Sequence, residues 1–519
     1  MKQMSIIILL LWSGCLLPQS RAAAQEAASN LRDLKQTRPF ELYRFTLANG
    51  LRVWCQPRPD STSVVAFLSM HVGERNETPA NNGISHYLEH LLFVGTARWN
   101  EDEIKDMIAK RGGWWNGWTR TEETDYFAEM AAADFDIAMD WLAEIVFRST
   151  LPADKIEKER NVVFQEYWGK YGRLANALRR WLVDLGWGYG LERTIERAIY
   201  PHSNLTLDYL WANDALETMD RQALLDYYHA YYLPNNATLL IVGNVTPEQA
   251  LAKAQTYFGN IPAGTRPPLP ETPPLPEGGP YQITLRAPLP TNQCLLRIGA
   301  RTVGAAHPDR WALDVLAKLL STSLFKEIRN KRGLVYGVGA YNPQYSDVGR
   351  FEIGTRSEAD KKELIQQIIA AQLDDIRQGK IDPAKFAEAQ TALKGYWALN
   401  MESNFGRVDW LNNWTLALTP DESVPDYPAM IEAVAPADLT RVLNTYLVPQ
   451  RSYVVMHVPI LTIYRGIWLG GSVVVVLGGL IFYRRRRKQK QRQAAALQSS
   501  AQNEHSAGKD ASLPTAGQK

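Results

Sequence analysis

The sequence predicts an α+β chain of two homologous domains followed by a single membrane-spanning helix. Three observations carry that prediction. Strand-like and helix-like segments alternate in two long blocks, residues 36–255 and 281–458. Ala223–Gly243 (ALLDYYHAYYLPNNATLLIVG) and Asp438–Val458 (DLTRVLNTYLVPQRSYVVMHV) read alike, an amphipathic helix, a proline, a polar turn and a β-branched strand, with Pro234 and Pro449 in register. A repeat this long means a duplicated domain rather than a solenoid. Gly466–Tyr483 then runs without a charge, just long enough to cross a bilayer.

The elements follow in order. Residues 1–24 combine Lys2, an apolar run from Ile6 to Leu17 and Ala22–Ala24, which is the pattern of a secretory signal peptide. Strand-like runs at Leu51–Cys55 and Val64–Val72 open the first domain. Residues 256–280 are rich in proline and glycine, most densely at 261–280 (IPAGTRPPLPETPPLPEGGP), and read as an extended linker. The second domain spans 281–458. After the apolar run, Arg484–Arg487 and Lys488 place that end in the cytoplasm, and the signal peptide places the two domains outside it. The rest of the tail to residue 519 is polar and reads as disordered.

Composition is that of an ordinary globular protein, 45% hydrophobic and 22% charged over 519 residues. The net charge of +2 conceals an asymmetry. Without the +7 of the tail and the +2 of the first 24 residues, residues 25–483 carry −7. Nothing there points to nucleic acid, and the basic run serves as a topology signal and a contact for anionic lipid. Beyond the signal segment only Cys55 and Cys294 remain, both in strand-like apolar runs, so two buried thiols are expected rather than a disulfide.

The chemistry concentrates in His86-Tyr87-Leu88-Glu89-His90. On a helix, residues four apart stand one turn above each other, so His86 and His90 can offer imidazoles to one metal ion, with Glu89 near the same face. A catalytic zinc needs a third protein ligand and an open position. Residues 155–168 (KIEKERNVVFQEYW) can form a helix with Glu159 and Glu166 on one face, and Glu166 lies 76 residues beyond His90. The other histidines have no ligand spacing.

The pattern Gly83-x-x-His86-x-x-Glu89-His90-x-x-Phe93-x-Gly95-Thr96, with Glu159-Arg160-Asn161-Val162-Val163-x-x-Glu166 at that distance, resembles the pitrilysin family of zinc peptidases, the inverzincins. Length and duplication are similar to its two-domain branch, which includes the mitochondrial processing peptidase beta subunit and bacterial relatives. The resemblance implies two α/β-sandwich domains, each an antiparallel-rich sheet packed with helices, forming a half-clamshell. It implies His86, His90 and Glu166 as ligands of one zinc ion per chain, Glu89 as general base and Glu159 as an outer carboxylate that orients a ligand. Gly112-Gly113-Trp114-Trp115-Asn116-Gly117-Trp118-Thr119 is similar to a family edge strand that holds substrate backbone, which makes Asn116 a candidate substrate contact. In the second block, Ser323–Tyr336 resembles the segment whose arginine and tyrosine reach the active site from the facing half and steady the oxyanion, here Arg329 and Tyr336.

The reading is therefore a membrane-anchored zinc endopeptidase in a bacterial periplasm, acting on peptides or unfolded protein segments. Two domains where larger family members have four imply a dimer, either of this chain alone or with a zinc-less homologue. The alternative is a non-catalytic peptide-binding or scaffold subunit. Such members lose metal residues, and this chain retains them all.

Overall fold

The computed structural model describes residues 41–507 apart from 168–172, 185–189, 208, 276–280, 288–290 and 420. The expected signal peptide, and the last twelve residues of the tail, lie outside the described residues. Of the described residues, those from 41 to 285 and from 294 to 458 form one compact unit, and those from 286 to 293 and from 459 to 507 form a second.

The first unit is mixed α/β and contains two sheets. Strands β1 (Tyr43–Thr46), β2 (Arg52–Pro57), β3 (Ser63–Met70), β4 (Trp114–Thr119), β5 (Thr124–Ala131) and β6 (Ala237–Gly243) lie in the order β1-β2-β6-β3-β5-β4. Only the β2–β6 pair is parallel. Strands β7 (Tyr281–Ala287), β8 (Gln293–Val303), β9 (Val335–Tyr341), β10 (Val348–Glu358) and β11 (Ser452–Pro459) lie in the order β7-β11-β8-β10-β9. Strands β2 to β6 of the first sheet thus repeat as β7 to β11 of the second, and the two segments with Pro234 and Pro449 become equivalent helix-and-strand units. Strands β4 and β9 are the equivalent free edges.

Burial explains the central strands. All seven residues of β6 are buried, as are seven of the eight of β3, because apolar layers cover both faces. Helices α1 (Ile84–Leu92), α2 (Glu101–Ala109), α3 (Phe135–Phe147) and α4 (Ala153–Glu166) lie with one face of the first sheet in a shared core that includes Leu68, Leu88, Trp141 and Phe164.

The other face belongs to the second half. Trp54, Val65, Phe67 and Leu240 are buried in the same cluster as Trp311, Leu316 and Trp414, and the helix Asn404–Asn412 packs on β3 and β6. In return, Leu191, Ile195, Ile199 and Tyr200 from the first half are buried with Val348, Tyr453 and Val455 of the second sheet. The halves therefore interlock, and the expected boundary at residue 255 does not coincide with a break in the core. Arg75, with no exposed side-chain surface, binds Asp347 (2.6 Å) and Glu122. Of the expected linker, residues 256–258 instead close the helix Pro247–Phe258, residues 276–280 lie outside the described residues, and residues 262–275 carry no helix or strand and are pinned: Thr272 donates its N–H to Asp347 Oδ2 (2.9 Å), and Arg301 Nη1 donates to the Pro273 carbonyl (2.6 Å).

Cys55 and Cys294 are free and buried. In the second unit one helix runs from Ile463 to Ala507, and its apolar stretch is long enough to cross a membrane, by length and composition. It continues through residues 484–507, where disorder was expected, because arginine, lysine, glutamine and alanine rank high in helix propensity.

Candidate metal centre

Helix α1 starts where the chain needs a glycine. Gly83 has φ +90°, in the left-handed region, and a Cβ there would meet the Ala212 Cβ at 2.9 Å. The buried Glu77 carboxylate accepts the N–H groups of Gly83 (2.6 Å) and Ser85 (2.9 Å), two of the unpaired donors at the helix start. Tyr87, Leu88, Leu91 and Leu92 are completely buried, each contributing about 1.5–3 kcal/mol. That anchoring fixes the opposite side of the helix, where His86 and His90 stand half-buried with Glu89 buried beside them.

Helix α4 packs against α1 and brings Glu166 to the histidines. The Glu166 oxygens lie 3.2 Å from His86 Nε2 and 3.5 Å from His90 Nε2, and the two Nε2 atoms are 3.3 Å apart. Both outer nitrogens face oxygen, His86 Nδ1 at 2.9 Å from the Tyr167 hydroxyl and His90 Nδ1 at 3.6 Å from Glu159 Oε2. A proton on each Nδ1 leaves two lone pairs and a carboxylate converging on one point, an arrangement that repels itself unless a cation holds it. The spacing fits zinc. Two nitrogens at 2.0–2.1 Å from a tetrahedral zinc ion are about 3.3 Å apart. Among the described residues this is the one group of three or more such side chains with donor atoms close enough to share an ion, all within 4.8 Å of one another.

The electrostatics are consistent with that arrangement. Burial, helped by the charge of His90, lowers His86 to about 4, so its ring is neutral and free to ligate. Burial also opposes a charge on His90, but the hydrogen bond to Glu159 and the charges of Glu166 and Glu89 outweigh it and raise its pKa. Burial pushes the Glu89 carboxyl up to about 7, against the pull of the Thr119 hydroxyl. Thr119 Oγ1 donates to Glu89 Oε2 at 2.7 Å, which ties the carboxyl to the edge strand β4.

The remaining expected residues are placed apart. Asn116 is exposed on β4, the edge strand expected beside the metal site. Alternation along the strand sets Asn116 on the face of Trp114 and Trp118, opposite Thr119. Arg329 lies on the π-helical turn Phe325–Lys331 and Tyr336 on the edge strand β9. The Tyr336 side chain is 92% exposed, and the structure does not bring either residue into hydrogen-bond contact with the His86, His90 and Glu166 group. Two contacts went unread in the sequence. Tyr167 follows Glu166 directly, outside the seven-residue spacing of Glu159 and Glu166. Thr119 stands in the glycine- and tryptophan-rich segment with no titratable group to mark it.

The fold and the site define a two-sheet α/β protein with, on one half, a His-His-Glu group that could hold a metal ion. Residues 52–182 match the family model described as insulinase (peptidase family M16), and residues 218–393 match the peptidase M16 inactive domain. The chain is 28% identical to the uncharacterized zinc protease YmxG of Bacillus subtilis over 369 residues, 70% of this chain and 86% of that protein. It is 26% identical to the zinc protease PqqE of Helicobacter pylori over 427 residues, 80% of this chain and 92% of that protein. The crystal structure of a protease from Helicobacter pylori superposes with a TM-score of 0.70 at 23% identity, covering 81% of this chain and all of that one. An M16-like peptidase from Alicyclobacillus acidocaldarius gives 0.65 at 19% identity, covering 82% and 100%. The chain belongs to the pitrilysin family, peptidase family M16. His86, His90 and Glu166 fall in the part that matches the peptidase model, and the second sheet falls largely in the part that matches the inactive domain.

Proposed function

We propose that this chain is a zinc-dependent endopeptidase that hydrolyses peptides or unfolded protein segments. The observation that carries the reading is the convergence of His86 Nε2, His90 Nε2 and a Glu166 carboxylate beside a buried Glu89. When bound, zinc supplies Lewis acidity, lowering the pKa of water and polarising a carbonyl. Glu89, a buried carboxyl beside the three residues, takes a proton from the attacking water and returns it to the leaving amine as the C–N bond breaks. Thr119 orients that carboxyl. Glu159 and Tyr167 hold the two imidazoles with Nε2 turned inward.

The free edge of β4 suits a substrate that adds as a strand, its main chain bonding to β4 near Asn116. Arg329 and Tyr336 serve as carbonyl and oxyanion donors to the metal centre of a second subunit. The exposure of Tyr336 supports that assignment, since a side chain working across a subunit boundary is bare in the isolated chain. A homodimer completes two such sites, and a zinc-less homologue would complete one. The first 24 residues serve as a signal peptide and 466–483 as a single span, with both sheets on the periplasmic side and the basic tail in the cytoplasm.

The test uses full-length protein in detergent, its bound zinc, and an unstructured peptide. Glu89→Gln is expected to keep about one zinc per chain and lose about 10²- to 10⁴-fold in kcat. Wild type that binds no zinc, or a variant that cleaves equally well, sinks the reading.

A further inference from the structure

Thr119, whose hydroxyl holds the Glu89 carboxyl, is the last residue of β4, and the turn at residues 120–123 leads from it into β5. The backbone of the turn is held by the first half: the N–H groups of Glu74 and Arg75 donate to the carbonyls of Arg120 (3.2 Å) and Thr121 (2.7 Å). Its side chains are held by the second half. Asp409, on the helix Asn404–Asn412, pairs with Arg120 Nη2 (3.2 Å). Asn412, one turn further along, donates its amide N–H to Glu123 Oε1 (3.0 Å) and Asp125 Oδ2 (3.2 Å). Ser346 donates its N–H (2.8 Å) and its hydroxyl (2.7 Å) to the Glu122 carboxylate. All four charged residues between Thr119 and Tyr126 are thus tied to the second half.

Holding the halves together does not by itself call for such a set. Asp125 has no exposed surface, and apolar side chains often fill a buried polar position with equal or greater stability. What the polar groups add is direction. Asp125 Oδ2 accepts the Trp118 indole N–H (2.7 Å) and lies 3.4 Å from Arg120 Nε, while the Arg120 guanidinium sits 5.3 Å from the centre of the Trp118 ring. Both neighbours of Thr119 are therefore fixed, Trp118 through Asp125 and Arg120 through Asp125 and Asp409. Asn412 locks Asp125 in turn. Side chains alternate along a strand, so with both neighbours fixed the direction of Thr119 is set.

We propose that Asp409 and Asn412 of the second half are positioning residues for hydrolysis: through Arg120, Glu123 and Asp125 they set the turn after β4 so that the Thr119 hydroxyl meets Glu89. The role in hydrolysis rests on the peptidase reading, whereas the clamp on the turn does not. The half without the His-His-Glu group thereby acts on the other half within one chain, apart from any contribution across a subunit boundary.

The test is a double-mutant cycle in full-length protein in detergent, with hydrogen exchange as a second readout. Asp409 is half-exposed, so Asp409→Ala leaves the core intact. Asp409→Ala and Asn412→Ala are each expected to lower kcat for an unstructured peptide about tenfold, with KM and bound zinc changed less than about twofold. Asp409→Glu should restore most of the loss. In a Thr119→Val background the same two changes should cost less than about twofold, because the hydroxyl they place is gone. The control is Asn404→Ala, which removes hydrogen bonds from the other end of the same helix to Ser61 and Ser63 (3.0 Å each) and should leave kcat unchanged. Amides of residues 114–131 should exchange faster in the Asp409 and Asn412 variants than in that control. Full additivity with Thr119→Val overturns the proposal, as does an equal loss of kcat in Asn404→Ala or an unchanged exchange rate in the turn. Wild type that cleaves nothing overturns the peptidase reading, and the exchange comparison then still decides whether the second half holds the turn.

Discussion

Helix α1 and the helix Asp309–Leu324 occupy equivalent places, each following a central strand and preceding the hairpin at the sheet edge. Both are anchored by buried apolar residues. In Asp309–Leu324 the buried set is Trp311, Ala312, Leu313, Val315, Leu316, Ala317, Leu319, Leu320 and Leu324, with no histidine. In α1 the same kind of anchoring leaves one side to His86, Glu89 and His90. The architecture was thus used twice and the His-His-Glu group built once, so the candidate chemistry is a property of a few side chains set on a shared scaffold. The edge strands divide in the same way. Strand β4 supplies Thr119 to the Glu89 carboxyl, whereas β9 carries Tyr336 outward into solvent.

The sharpest way to break the comparison is to make matched changes in the two helices. His86→Ala or His90→Ala should reduce bound zinc from about one per chain to near zero and lower kcat by about 10⁴-fold or more, read by metal analysis and peptide hydrolysis. Leu316→Ala in the equivalent helix should instead cost about 2–5 kcal/mol of stability, with zinc per folded chain unchanged. Loss of zinc in that variant at full folding would mean that the halves are not separable in function.

The edge strands give the next effect. Tyr336→Phe should lower kcat by about 10- to 10³-fold with little change in thermal midpoint, as expected for one oxyanion donor on an exposed side chain. Mixing it with Glu89→Gln protein should restore part of the activity if each site draws on two subunits. Tyr167→Phe and Glu159→Gln sharpen the picture of α4. Each should weaken zinc binding by about 10- to 100-fold in competition with a chelator, with Glu89 and its Thr119 contact left in place.

The smallest effect concerns how the halves are held together. Burial would raise the Asp347 carboxyl, but its hydrogen bond and charge pairing with Arg75 keep it below its ordinary value of 3.8. A depressed folded pKa means that its contribution is fully present above 3.8 and is lost as pH falls through the folded value. Asp347→Asn should therefore lower the thermal midpoint near neutrality, and the gap from wild type should close in acid. A gap that persists unchanged at low pH would show that Arg75 does not act through this charge.

Much of the metal centre was legible because its signals are local or regularly spaced. His86 and His90 share a helical face, and the seven-residue interval between Glu159 and Glu166 marks a second one. Membership of the pitrilysin family followed from these same residues. Tyr167 was not legible, since its place against His86 depends on how α4 crosses α1. Nor was Thr119, whose neighbourhood with Glu89 depends on the register of β4.

By itself, then, the sequence determined the candidate group of His86, His90 and Glu166, the duplicated pattern and an apolar run long enough to span a bilayer, because each is written in periodicity and spacing along the chain. Only the tertiary structure decided that the halves interlock, with Leu191–Tyr200 on the second sheet and Asn404–Asn412 on the first. It also decided that Trp114 meets Phe405. Those features arise between residues hundreds of positions apart, where packing sets the neighbours and no local pattern records them.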